Sequence, residues 1–189
     1  SADIHKYGYS SKGASVIIYR SKDLRKYQYF AYSQWPGGLF ASPSLAGSRP
    51  GGMIASAWSA LVGMGQSGYK DLCKQVMDTT NKLMEGVNSI DGIKVLTQPN
   101  MTAFAIASDS PTVNILAVAD VMEDQHGWKI ERQQLPDTLH LSVLPAHSKN
   151  ADLFIADMYK SVTYVKEHPE CNSGGTTGEY GMVAKGPDK

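Results

Sequence analysis

The chain has 189 residues, 42% hydrophobic and 19% charged, which is ordinary for a packed protein with one core or with one domain and part of another. Eighteen basic residues balance eighteen acidic ones, so no basic field invites nucleic acid and no acidic run marks a solvating tail. No run of about 18 apolar residues could span a bilayer, and the opening Ser1-Ala2-Asp3-Ile4-His5-Lys6 lacks the basic-then-apolar order of a signal peptide.

Residues 1–13 are rich in Gly, Ser and Tyr and read as a loop around His5-Lys6-Tyr7-Gly8-Tyr9. Residues 14–20 are β-branched and apolar, the pattern of a short buried strand. Residues 21–32 are mixed. Residues 33–50, with Trp35-Pro36-Gly37-Gly38 and Ser42-Pro43-Ser44, read as a long loop, a kind of segment that tends to be functional or mobile. Two helices are predicted next. The first, over 51–65, is apolar nearly all round and should be buried on most faces. The second, over 68–88, carries Leu72, Val76, Leu83 and Val87 on one stripe, as an amphipathic helix on a core does.

After the Asp91-Gly92 turn the texture changes. Residues 93–96 and 102–107 read as a hairpin, and 113–125 as a helix ended by Gly127, with His126 at its cap. Strands near 128–133 and 138–144 follow, then a closing helix over 151–166. The order β-β-α-β-β-α predicts a compact α+β unit with a largely antiparallel sheet. The predicted organisation is thus a first domain over 1–90, a small α+β domain over 91–168 and a flexible tail over 169–189. Cys73 and Cys171 fit no metal or redox spacing and read as free thiols.

Four groups of residues could carry chemistry. Lys6 sits in a Gly/Ser-rich loop before a strand, where its side chain could reach a cleft. A Schiff-base lysine must present a neutral amine, and burial beside the cations Lys12 and His5 would lower its pKa to favour that form. A surface lysine in a turn is the plainer alternative. Gly47-Ser48-Arg49-Pro50-Gly51-Gly52 precedes the apolar helix, with Ser48 a plausible N-cap and Pro50 suited to the first turn. Its backbone N–H groups, hydroxyl and arginine could cradle a phosphate, or simply start a helix. Lys12 is a point charge that could meet a second phosphate or face solvent. His140 and His147 flank a predicted strand and could reach a cleft, though such histidines are more often structural.

Taken together these segments resemble one family. Ser1-Ala2-Asp3-x-His5-Lys6-Tyr7-Gly8-Tyr9-x-x-Lys12-Gly13 is similar to the cofactor-lysine segment of sphingosine-1-phosphate lyases. Tyr27-Gln28-Tyr29-Phe30, Trp35-x-Gly37-Gly38-x-x-Ala41-Ser42-Pro43 and Ala46-Gly47-Ser48-Arg49-Pro50-Gly51-Gly52 follow in that family's order and spacing. The likeness continues through Gly127-Trp128 and His140 to His147, and into Thr176-Thr177-Gly178 and Tyr180-Gly181-Met182.

The resemblance implies an α/β fold, fold type I of the enzymes dependent on pyridoxal 5'-phosphate. The chain would hold the C-terminal portion of the large domain and then a small α+β domain, in a homodimer with a shared active site. It implies that Lys6 forms the Schiff base and that His5 lies near the cofactor. Ser48, with Gly47, would reach the cofactor phosphate of the partner subunit, and Lys12 would hold the substrate phosphate. Lys6 and Lys12 would be the catalytic residues, with no metal. The implied reaction cleaves a phosphorylated long-chain base to a fatty aldehyde and phosphoethanolamine by retro-aldol chemistry.

The family's cofactor lysine lies well inside a longer chain, so this sequence reads as a C-terminal fragment, inactive alone. The rest of the cofactor pocket, and the membrane anchor that places eukaryotic members in the endoplasmic reticulum, are expected upstream. A pyridoxal-phosphate-dependent amino-acid decarboxylase of the same fold is the nearest alternative, and a catalytically inactive dimerisation scaffold is another. The roles of Tyr7, Tyr9, His140 and His147 stay open.

Overall fold

The computed structural model describes residues 1–173; the Thr176-Thr177-Gly178 and Tyr180-Gly181-Met182 motifs, and the expected tail beyond Ser173, lie outside them. Contacts divide the chain into two units, Ser1–Tyr69 and the part from Lys70 onward.

In the first unit, β1 (Ala2–Asp3) pairs antiparallel with β2 (Ser15–Val16), Asp3 opposite Ser15, which closes residues 4–14 into a loop. The strand predicted over 14–20 shrinks to these two residues. Ile17 and Ile18 are 57% and 84% exposed because no further strand pairs with them among the described residues.

A short helix, α1 (Lys22–Arg25), is capped by the Ser21 hydroxyl, which accepts from the Leu24 N–H. Where a long loop was predicted, a hairpin runs instead. β3 (Phe30–Trp35) pairs antiparallel with β4 (Gly38–Ser42), Tyr32 opposite Phe40. Pro36-Gly37 is its turn, and Gly38 takes φ 99°, the left-handed side that glycine alone adopts freely. Ring contacts of Phe40 with Phe30 and Trp35, at 6.1 and 6.2 Å between centroids, tie the strands together.

Helix α2 (Gly51–Asn88) merges the two predicted helices. They meet at Gly65, whose φ of 59° and ψ of 179° break the helical geometry. The Pro50 carbonyl accepts from the Met53 N–H at 3.2 Å, so the cap position falls on Pro50, and Ser48, predicted as N-cap, stands two residues ahead of it. The predicted burial of the first half is not found. Ala57 is buried, but Ile54 and Trp58 are 62% and 65% exposed, since no layer within Ser1–Tyr69 covers that face.

The second unit follows the predicted β-β-α-β-β-α order. β5 (Ile93–Val95), β6 (Ala103–Ser108), β8 (Thr138–Ser142) and β7 (Glu131–Gln133) form one antiparallel sheet in that spatial order. Helix α3 (Ile115–His126) packs on β6 and β8, and α4 (Ala151–Glu167) packs on α3. Val76, Leu83, Met84 and Val87 of α2 join this core beside Ile106, Met122, Leu139 and Met158. The amphipathic stripe explains why the division falls at Tyr69/Lys70, whereas the sequence places it near residue 90. The Asn114 side chain accepts from the Leu116 N–H at the start of α3. At its end Gly127, at φ 74°, donates its N–H to Glu123 and Met122 carbonyls.

Candidate functional site

The loop 4–14 is held from several directions. The His5 N–H donates to the Ala14 carbonyl at 3.1 Å, Tyr9 N–H to Lys6 at 3.1 Å, and Ser10 N–H to Ile4 at 3.2 Å. The Tyr69 hydroxyl donates to the Gly8 carbonyl at 2.8 Å, and the Ser11 N–H donates to the Ser56 hydroxyl at 3.1 Å. Gly8 has no room for a side chain: a Cβ there would lie 2.5 Å from the Ile4 carbonyl oxygen. Two consequences follow for the side chains. His5 Nδ1 lies 2.7 Å from the Ala14 carbonyl oxygen, which can only accept, so Nδ1 carries the hydrogen and Nε2 is the ring's free nitrogen. Lys6 projects from a constrained backbone, with its side chain 66% exposed.

The electrostatics of Lys6 run opposite to expectation. Lys12 and His5 were to lower its pKa; instead its Nζ pairs with Asp3 Oδ2 at 2.9 Å, and the hydrogen bond to Asp3 raises the lysine pKa above its ordinary value. Desolvation opposes this only weakly at so exposed a group, and Asp3 is lowered in turn, first by the same hydrogen bond. The signal was in the sequence, an acid three residues before the lysine, but only the turn at 4–8 brings the two charges together.

Lys12 is exposed, and neither it nor Ser48 or Arg49 has a side-chain hydrogen bond or ion pair among the described residues. A cavity of about 140 Å³ brings the two sequence motifs together: Gly13 and Ala14 from the lysine loop line it with Arg49, Pro50 and Met53. Gly47 instead lines a separate cavity of about 460 Å³ with Phe30, Phe40 and Ser42. His5, Lys6, Lys12 and Ser48 line neither.

In the second unit His140 and His147 do share a cavity, of about 200 Å³, with Trp128, Lys129 and Phe154. His147 Nδ1 accepts from the Leu144 N–H at 3.1 Å, so that ring serves its own turn. His126, predicted at a helix cap, is the last residue of α3, and its Nδ1 lies 3.6 Å from Asp157.

No protein-family model matches the chain. The sphingosine-1-phosphate lyase of Oryza sativa subsp. japonica is 40% identical over 189 residues, all of this chain and 34% of the relative. The chain is homologous to the sphingosine-1-phosphate lyases. The solved sphingosine-1-phosphate lyase of Burkholderia pseudomallei is 36% identical, with a TM-score of 0.79 over 87% of this chain and 37% of that one. The Lactobacillus brevis glutamate decarboxylase, 14% identical, shares the fold alone, with a TM-score of 0.60 over 75% of this chain and 34% of its own. The architecture is therefore that of fold type I, the fold of pyridoxal-phosphate enzymes, as the sequence implied. The chain spans about a third of the length of the sphingosine-1-phosphate lyases it matches. Among the described residues no helix is long and apolar enough to cross a membrane.

Proposed function

We propose that this chain supplies the Schiff-base lysine, Lys6, of a pyridoxal-phosphate-dependent lyase. The enzyme cleaves a phosphorylated long-chain base to a fatty aldehyde and phosphoethanolamine. The observation that carries this reading is similarity along the whole chain to proteins named sphingosine-1-phosphate lyase.

The residues present suit the cofactor. Lys6 offers a primary amine on a fixed loop, and His5 offers Nε2, the ring nitrogen that Ala14 does not engage. The Ser48 hydroxyl and Arg49 guanidinium, with no side-chain partner among the described residues, are donors suited to a phosphate. When bound, pyridoxal phosphate supplies an electron sink for the carbanion left as the C2–C3 bond breaks. In the proposed retro-aldol reaction, Lys12 holds the substrate phosphate as a compact charge. The Lys6 side chain, when its nitrogen is free and protonated, would carry a proton to C2 of the substrate. Ser48 and Gly47 serve the cofactor phosphate of a partner subunit, in a homodimer with a shared active site. For a eukaryotic full-length protein the proposal includes the endoplasmic reticulum as its location.

Borohydride reduction of the full-length protein with pyridoxal phosphate, followed by peptide mapping, tests the reading. The label is expected on Lys6 and absent in Lys6→Ala; a label on another lysine would remove Lys6 from the site. Lys12→Ala should retain the label while kcat/KM for the phosphorylated substrate falls about ten- to a hundredfold, the loss of one charge-assisted contact. Release of carbon dioxide from an amino acid, with no cleavage of a phosphorylated base, would establish a decarboxylase instead.

A further inference from the structure

Asp3 has no role in the proposed reaction, yet both its main chain and its side chain tie into the lysine loop. Its backbone lies in the β1–β2 ladder opposite Ser15, and its carbonyl accepts from the Lys6 N–H at 3.1 Å. Its carboxylate meets Lys6 Nζ at 2.9 Å. Main chain and side chain thus both fasten Lys6 to the base of its loop. We propose that Asp3 is a positioning residue for Lys6, holding the amine as an ammonium at the loop base so that cofactor capture requires this pair to open.

The proposal rests on Lys6 being the cofactor lysine. Capture has a definite balance: the ammonium gives one proton to solvent, then the neutral nitrogen condenses with the cofactor's aldehyde carbon and one water leaves. A molecule whose Lys6 is still protonated therefore cannot yet react. The charges acting on Lys6 are those of Asp3 and Tyr7, and His5 acts on Asp3. Asp3 stabilises the charged amine, in the direction of the raised lysine pKa. The pair is open enough to solvent that its effect is modest and its release fast.

The test is competitive acetylation of the cofactor-free, full-length protein across a pH series, with the Lys6 peptide quantified by mass spectrometry. Asp3→Asn is expected to move the Lys6 titration to lower pH. It should also raise the neutral amine, and with it the rate of pyridoxal phosphate capture below that pH, about two- to fivefold, the range in which exposed ion pairs act. Asp3→Glu should restore most of the wild-type profile, which a purely structural role for Asp3 would not produce. An Asp3→Asn titration that overlays wild type overturns the positioning role even if borohydride still traps the cofactor on Lys6. A shifted titration with the cofactor trapped on a different lysine overturns instead the assignment of Lys6, and with it the gating of capture.

Discussion

Two hydrogen-bond donors converge on Asp157, which is buried, and a histidine stands just beyond them. The Trp128 Nε1–H and Lys160 ammonium each approach at 3.0 Å, and His126 Nδ1 stands at 3.6 Å. Burial pushes this carboxyl up, but the hydrogen bonds from Trp128 and Lys160 and the charges of His126 and Lys160 prevail, and its pKa falls below the ordinary 3.8. A depressed carboxyl contributes stability above its unfolded value and loses it as pH falls through the folded one. Thermal melts below pH 3.8 should therefore show a falling Tm that Asp157→Asn flattens, while Asp157→Ala costs about 1–3 kcal/mol at neutral pH through unpaired donors. An acid limb unchanged in Asp157→Asn would assign it to other groups. None of this was legible in the sequence, where His126 reads as a cap residue and Asp157 as one more helix position. The same holds for Asp3 and Lys6, whose motif is conspicuous while the sign of the charge effect depends on a turn.

At the scale of elements, two glycines end or break helices for different reasons. Gly127 was readable, because a glycine directly after an apolar-periodic run is a C-cap signal, and it takes the left-handed φ of 74°. Gly65 was harder, since the apolar pattern runs on both sides of it; the gap predicted between two helices is instead a single residue out of helical geometry. Its φ of 59° and ψ of 179° lie in a region that is essentially glycine's own. Gly65→Ala should cost about 1–3 kcal/mol in urea denaturation, or straighten the helix at that point. A variant with unchanged stability and unchanged helix content would show that the break is not required. The β3–β4 hairpin was missed because Trp-Pro-Gly-Gly reads equally as loop or as hairpin turn. The aromatic contacts that decide it, Phe40 with Phe30 and with Trp35, join residues on opposite strands.

Over the whole molecule the two units differ in how completely they bury their apolar residues. The second has a closed core, with Val87, Ile106, Met122, Leu139 and Met158 inaccessible or nearly so. The first leaves Ile18, Leu45, Ile54 and Trp58 largely exposed, the behaviour of a surface that another layer covers. The homodimer proposed above would supply such a layer, and complementation tests it. Co-expressed Lys6→Ala and Ser48→Glu full-length chains should be inactive separately. Together they should recover about a quarter of wild-type activity, because half of randomly paired dimers contain one intact site. No recovery in dimers shown to be mixed would place Ser48 in its own subunit's site or outside any site.

Sequence alone determined the β-β-α-β-β-α order of the second unit, the C-terminal cap of α3, and the segments around Lys6 and Ser48 that make the family recognisable. These depend on hydrophobic period, turn chemistry and spacing, which are local properties of the chain. Only the tertiary structure decided that the sheet runs β5-β6-β8-β7, that Arg49 and Gly13 line one cavity, and that Asp3 pairs with Lys6. Strand neighbours, shared cavity walls and the charge partner of a loop lysine are set by which surfaces the folded backbone brings together, and local residue patterns do not encode them directly.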